Sequence, residues 1–174
     1  MKIGRTALEK LQNYLFEQKE LGLTGQNEDY VFNHLHHGIN LRVEVKDFDK
    51  YSYLIDKIEL TSENEAGQQA TELSALKEQA NYLAENIGYL LENLAIIEID
   101  ANNARIQLRS ESPRREKSTV TYFEIILDAL GTLVLQRYEI DNQGAKKRSR
   151  IPFNLTEEVF ENLLNDLAGS YGRV

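Results

Sequence analysis

From residue 95 onward the hydrophobic period of this chain is two, and it stays two through four successive segments, 95–100, 105–109, 119–127 and 132–140. Alternation of this kind gives each segment one apolar and one polar face. Short turns at 101–103 and 128–131 make neighbours of the first two and of the last two. A four-strand antiparallel meander follows, and its apolar face needs a layer of helix to cover it.

Three helices are expected to supply that layer. The first runs over 6–21, with Thr6 and Glu9 at capping-box spacing, Leu8, Leu11, Leu15 and Leu21 on one stripe, and Gly22 as the stop. The last runs over 156–168, capped by Asn154 or Thr156, with Glu157 and Glu158 in its first turn and Val159, Phe160, Leu163, Leu164 and Leu167 as its apolar face. Between them, Ser62 and Glu65 have the spacing of a second capping box and open a long helix that ends near Leu94. Its apolar residues, Ala66, Ala70, Leu73, Leu76, Ala80, Leu83, Ile87, Leu90 and Leu94, are spaced by threes and fours like a heptad seam. Upstream, Ile39, Leu41, Val43 and Val45 alternate along a strand over 39–45, and a turn at 47–50 leads to an antiparallel partner over 51–60. The segment 30–38 reads as irregular or weakly extended. The expected architecture is a single α+β domain over 1–174: an antiparallel sheet of about six strands, covered by the long central helix and by the N- and C-terminal helices.

The composition, 41% hydrophobic and 28% charged, is that of an ordinary globular chain. The absence of cysteine excludes a disulfide framework, thiolate metal sites and a cysteine nucleophile, and suits a reducing compartment. No run of about 18 apolar residues is present, and the stretch after Met1 has no apolar signal core, so a cytoplasmic location without membrane association is expected. The net charge of -8 hides an asymmetry. Between residues 105 and 150 there are ten basic residues against six acidic, leaving ten against twenty-two for the rest of the chain.

That asymmetry defines the first candidate site. If the four strands alternate up and down, the two longer loops, 110–118 and 141–150, emerge at the same end of the sheet. Arg114, Arg115 and Lys117 then meet Lys146, Lys147, Arg148 and Arg150 in a basic rim that can hold phosphate groups or dock an acidic protein surface. The alternative is two solvated loops. The second candidate is the helical seam at Leu73, Leu76, Ala80, Leu83, Ile87 and Leu90, which packs either on the domain's own sheet or on a second copy or partner helix. The three histidines fall within four residues; His34 and His36 share a face if that piece is extended and, with Asp29 or Glu28, are weak candidates for a metal site, against the plainer reading of a surface turn ending at Gly38. Glu124 and Asp128 can be read as an acid and a base, although a solvated strand face is the commoner account of such a pair. No phosphate-binding loop, nucleophile elbow, metalloprotease helix or dinucleotide fingerprint is present, and no cofactor is expected.

In helix-and-strand order and in acidity the layout resembles the effector-binding chaperones of bacterial type III secretion, from which it departs by four strands after the long helix instead of two. No motif of that family occurs, so what the resemblance implies is limited to a dimeric, partner-binding role. The leading expectation is a non-catalytic protein-interaction module, adaptor or chaperone-like, that self-associates or binds a protein partner. A nucleic-acid- or phosphate-binding protein using the basic rim comes second, and an enzyme whose residues converge only in three dimensions comes third.

Overall fold

A computed structural model describes residues 2–21, 29–62, 71–90, 92–116, 118–141 and 147–173. The elements are α1 (Gly4–Glu20), β1 (Tyr30–His36), β2 (Ile39–Phe48), β3 (Ser52–Ser62), α2 (Leu73–Asn86), β4 (Leu94–Asp100), β5 (Arg105–Ser110), β6 (Arg114–Glu116), β7 (Thr119–Asp128), β8 (Thr132–Asp141), β9 (Arg148–Ile151), β10 (Phe153–Thr156) and α3 (Glu157–Gly169), followed by a 3-10 turn over Ser170–Arg173. All ten strands belong to one antiparallel sheet in the order β1-β2-β3-β8-β7-β5-β4, with β6, β9 and β10 attached to β7, β8 and β3. The α+β class and the C-terminal meander agree with the sequence reading; the expected sheet of about six strands under a long central helix does not.

The strand count differs for two reasons. The segment 30–38 is a full strand and a two-residue turn, with His37 at φ 47 and Gly38 at φ 74 joining β1 to β2. Positive φ at both central residues is what a tight hairpin of native twist requires. The expected loops 110–118 and 141–150 contain β6 and the start of β9. Beyond them, Pro152 separates β9 from β10, and the chain changes neighbour there. β3 and β8 pair with each other only over Ile58–Thr61 and Thr132–Leu135. Beyond that stretch β9 pairs with β8 at Arg137–Ile140, and β10 pairs with β3 at Ser52–Ile55.

The central helix is shorter than its seam. α2 ends at Asn86, because Ile87 has φ -92 and ψ 82, outside helical space, and Gly88 follows. Leu76, Ala80 and Leu83 are buried from the helix, Ile87 and Leu90 from the connection after it, and Leu94 from β4. One run of threes and fours therefore records three kinds of backbone. The expected cap at Ser62 and Glu65 and the seam positions Ala66 and Ala70 fall on or beside residues 63–70, outside the described residues, while Ser62 itself ends β3.

Helices cover one face of the sheet. Leu41, Val43, Ile58, Leu60, Leu133, Leu135, Ile125, Leu127, Ile106 and Leu108 meet them there in the buried core. α1 lies against β1, α3 against β3, and α2 against β4, β5 and β7. α3 begins where the sequence places it, and the Thr156 hydroxyl accepts the backbone N–H of Val159 as its cap. α1 begins at Gly4, two residues before the expected Thr6, with no side-chain cap. Gly4 is pressed against α3: a Cβ there would stand 2.1 Å from the backbone oxygen of Glu161, and its N–H donates to Asn165 Oδ1 at 2.8 Å.

Candidate functional site

The face without helices carries the alternate residues of the same strands. On β7 and β8 the cross-strand pairs are Tyr122 with Tyr138, Glu124 with Gln136, and Ile126 with Val134. Glu124 is only 4% exposed, yet it is fully engaged. It accepts from Gln107, from Arg109 at 2.8 Å and from Arg148, which β9 brings across β8. The guanidinium of Arg148 lies 3.5 Å from the centre of the Tyr138 ring, and Arg109 lies 5.0 Å from that of Tyr122. The two tyrosine rings are 5.9 Å apart. Burial pushes the Tyr122 hydroxyl pKa up, against the pull of Arg148 and Arg109. Burial also opposes the charge on Arg148, but Glu124 more than compensates and its pKa is raised. A polar hollow of about 600 Å³, lined by Lys57, Arg105, Glu124, Tyr138 and Arg148 among others, lies beside this stack. Glu124 is thus an enclosed acceptor that fixes two arginines, in contrast to the solvated position expected for it. Asp128 accepts the backbone N–H groups of Leu130 and Thr132 and closes the turn between β7 and β8.

The register pairs Thr119 with Asp141, so the hairpin before β7 and the connection after β8 leave the sheet at the same end. The paired arginines described there are divided among different carboxylates. Arg148 is held by Glu124, Arg150 lies 2.6 Å from Asp56 and 3.9 Å from Glu44, and Arg114 lies 2.7 Å from Glu116. Arg114 and Arg115 pair with Thr121 and Val120, which alternation sends to opposite faces. Arg115 and Lys147 are exposed and make no ion pair among the described residues. Lys117 and Lys146 lie outside those residues.

Leu76, Ala80, Leu83, Ile87 and Leu90 sit in the domain's own core, and Leu73 packs half-buried against it. Among the described seam residues, Leu73 alone keeps partial exposure, and the rest serve the chain's own core. His34 and His36 share the helix side of β1, with rings 5.8 Å apart, while Asp29 precedes the other end of the strand and pairs with Lys46 at 2.7 Å. Glu28 lies outside the described residues. Asp29, Glu44 and Asp56 do converge, with ligand atoms within 4.8 Å of one another, but Lys46, Arg42 and Arg150 are already paired with them. Burial raises the Asp56 pKa, and Arg150 and Lys46 offset part of that rise.

His34 is buried with Nε2 unpartnered, in contrast to the expected surface turn. Its pKa is lowered, first by burial and then by Lys10 of α1 and by His36. With the folded pKa below the unfolded one, the unfolded chain takes up the proton first, so stability present above about pH 6.5 is lost as the pH falls. Urea midpoints should therefore decrease from pH 7 to pH 5.5, and His34→Phe should flatten that dependence; an equal slope in the variant would assign it elsewhere.

On the helix side, a cavity of about 520 Å³ opens beside β7, β8 and β10 and the first turn of α3. Leu90, Phe123, Leu155 and Val159 form apolar wall, and Glu92 and Arg137 stand among them. Arg137 pairs across the strands with Phe123, its guanidinium 4.9 Å from the ring centre, and donates to Thr121 Oγ1 at 3.2 Å. It lies 3.7 Å from Glu92 Oε1, an ion pair too long for a hydrogen bond. Glu92 Oε2 and Arg137 Nε are both enclosed without a hydrogen-bond partner. Each such group costs about 1–3 kcal/mol. Tyr89 closes one side by donating to Asp166 at 2.7 Å; burial, then that bond, raises its pKa far above the phenolic range.

Comparison with protein-family models, with curated proteins and with solved structures finds no match to this chain. Its site has to be read from its own residues. Sequence reasoning missed Glu92 and Arg137: the first lay on the solvated side of the assumed long helix, the second in an alternating strand where a charged residue reads as outward-facing.

Proposed function

We propose that the chain is a non-catalytic protein-interaction module, adaptor or chaperone-like, that receives its partner on the open sheet face around Tyr138 and Arg148. The observation that carries this reading is the stack of Arg148 on Tyr138, 3.5 Å from the ring centre and fixed from beneath by Glu124. Tyrosine and arginine are over-represented among residues that dominate protein binding energies. Held in place beforehand, they lose little freedom on association. The surrounding charges are paired with one another: Arg42 with Glu44, Lys57 with Glu59, and Arg150 with Asp56. A face of mixed sign suits a protein surface of mixed sign. A nucleic acid would have to compete with a carboxylate for each of those cations, against a net charge of -8.

A second copy is among the partners this reading admits. β4 is the last strand in the sheet order, and Ile97 and Ile99 on it are 48% and 44% exposed, an apolar edge that the buried helical seam does not provide.

Tagged protein in nuclease-treated lysate of its source cells is expected to retain a protein, and Tyr138→Ala to reduce that retention about tenfold. Tyr51→Ala, at an exposed residue away from this face, should leave it unchanged. Sedimentation of the pure protein over a range of concentrations tells whether the partner is a second copy. Retention abolished by nuclease, or untouched by Tyr138→Ala, rejects the reading.

A further inference from the structure

We propose that the cavity walled by Leu90, Phe123, Leu155 and Val159, with Glu92 and Arg137 in its lining, binds a small zwitterion with an apolar side chain, a free hydrophobic α-amino acid being the chemical class. Its volume, about 520 Å³, is that of a ligand pocket. The ion pair supplies the rest of the argument. One enclosed donor, Arg137 Nε, and one enclosed acceptor, Glu92 Oε2, have no hydrogen-bond partner, and the pair itself is separated by 3.7 Å. Neither side chain is satisfied by the other, and a bound group that brings its own acceptor and its own donor, side by side, supplies partners to the guanidinium and the carboxylate where they line the cavity.

Electroneutrality narrows the class. Glu92 and Arg137 cancel, and Arg114, also in the lining, is offset by Glu116 at 2.7 Å. A simple anion would meet Glu92 and a simple cation would meet Arg137, each in surroundings that weaken neither repulsion. A hydrocarbon would leave both groups as they are. A carboxylate on the Arg137 side and an ammonium on the Glu92 side match both, and the four apolar residues take the side chain. Arg137 is already oriented by Phe123 and Thr121, so the guanidinium has little left to lose on binding.

The site lies on the helix side of the sheet, so its test does not depend on a partner docking on the open face. Calorimetric titration of the purified protein with leucine, methionine and phenylalanine should show saturable binding of at least one. For leucine, isoamylamine lacks the carboxylate and 4-methylpentanoate lacks the ammonium, and each should bind at least about tenfold more weakly. Glu92→Gln should weaken the amino acid by about the same factor. Val159→Phe, which fills the wall without touching the ion pair, should abolish binding and decides the matter if Glu92→Gln does not fold. No saturable heat from any of the three amino acids overturns the proposal, as does analogue binding equal to that of the parent, or binding indifferent to Val159→Phe.

Discussion

Glu124→Ala is expected to lower the free energy of unfolding by about 2–3 kcal/mol, among the largest effects of any substitution on the open face. Truncating one partner of a fully enclosed ion pair costs about 3–5 kcal/mol, because the other charge is left stranded. Here two cations and an amide lose their acceptor together, but the arginine side chains are 33% and 38% exposed, so water recovers part of the loss. Glu124→Gln keeps one acceptor oxygen and should cost less. Urea unfolding at fixed pH measures both, and a change below about 0.5 kcal/mol for the alanine variant would mean that the arginines find other acceptors at no cost. The same variant frees Arg148 from the Tyr138 ring, so it should also weaken any partner bound there.

Gly4→Ala should destabilise by about 3 kcal/mol, opposite in sign to what an exposed helical site would give. Alanine in a helix interior is ordinarily favoured over glycine by about 1 kcal/mol. At Gly4 the added methyl falls 2.1 Å from the Glu161 carbonyl oxygen, which is backbone and cannot turn aside. α1 would have to slide on α3 and release the bond from the Gly4 N–H to Asn165. Gly169→Ala is the control, since its nearest neighbour is the tip of a side chain, the Tyr82 hydroxyl at 3.0 Å. Equal unfolding midpoints for Gly4→Ala and the parent protein would show that the contact between the two helices yields freely.

What was legible in the sequence was local. The α3 cap at Thr156 and the alternation of β5, β7 and β8 follow from short-range rules, and the structure agrees with them. β1 was obscured because its inward row includes Phe32 and the buried His34, while Leu35 points outward and is 57% exposed, so polarity does not alternate with burial. β9 and β10 were obscured because each is only four residues long, Pro152 stands between them, and β10 pairs with a strand far away in sequence. The seam from Leu73 to Leu94 misled for a different reason: Ile87, Leu90 and Leu94 are buried after the helix has ended, and spacing alone does not record a change of backbone. The two basic loops do leave the sheet at one end, but the pairing of Arg148 and Arg150 depends on Glu124 and Asp56, whose burial no local pattern announces.

The switch of partner at Pro152 bears on how the chain acquires its structure. The three-strand unit of β1, β2 and β3 and the meander that ends in β8 meet through only four residue pairs, Ile58–Thr61 with Thr132–Leu135. The remaining union is made by residues 148–156, and α1, at the other end of the sequence, closes against α3. On a ribosome, both halves therefore wait with unfinished edges until residues 148–156 emerge, and α1 waits for its helix neighbour until residues 157–169 follow. Segment 148–169 is thus the piece that ties the two halves of the sheet to each other and to α1.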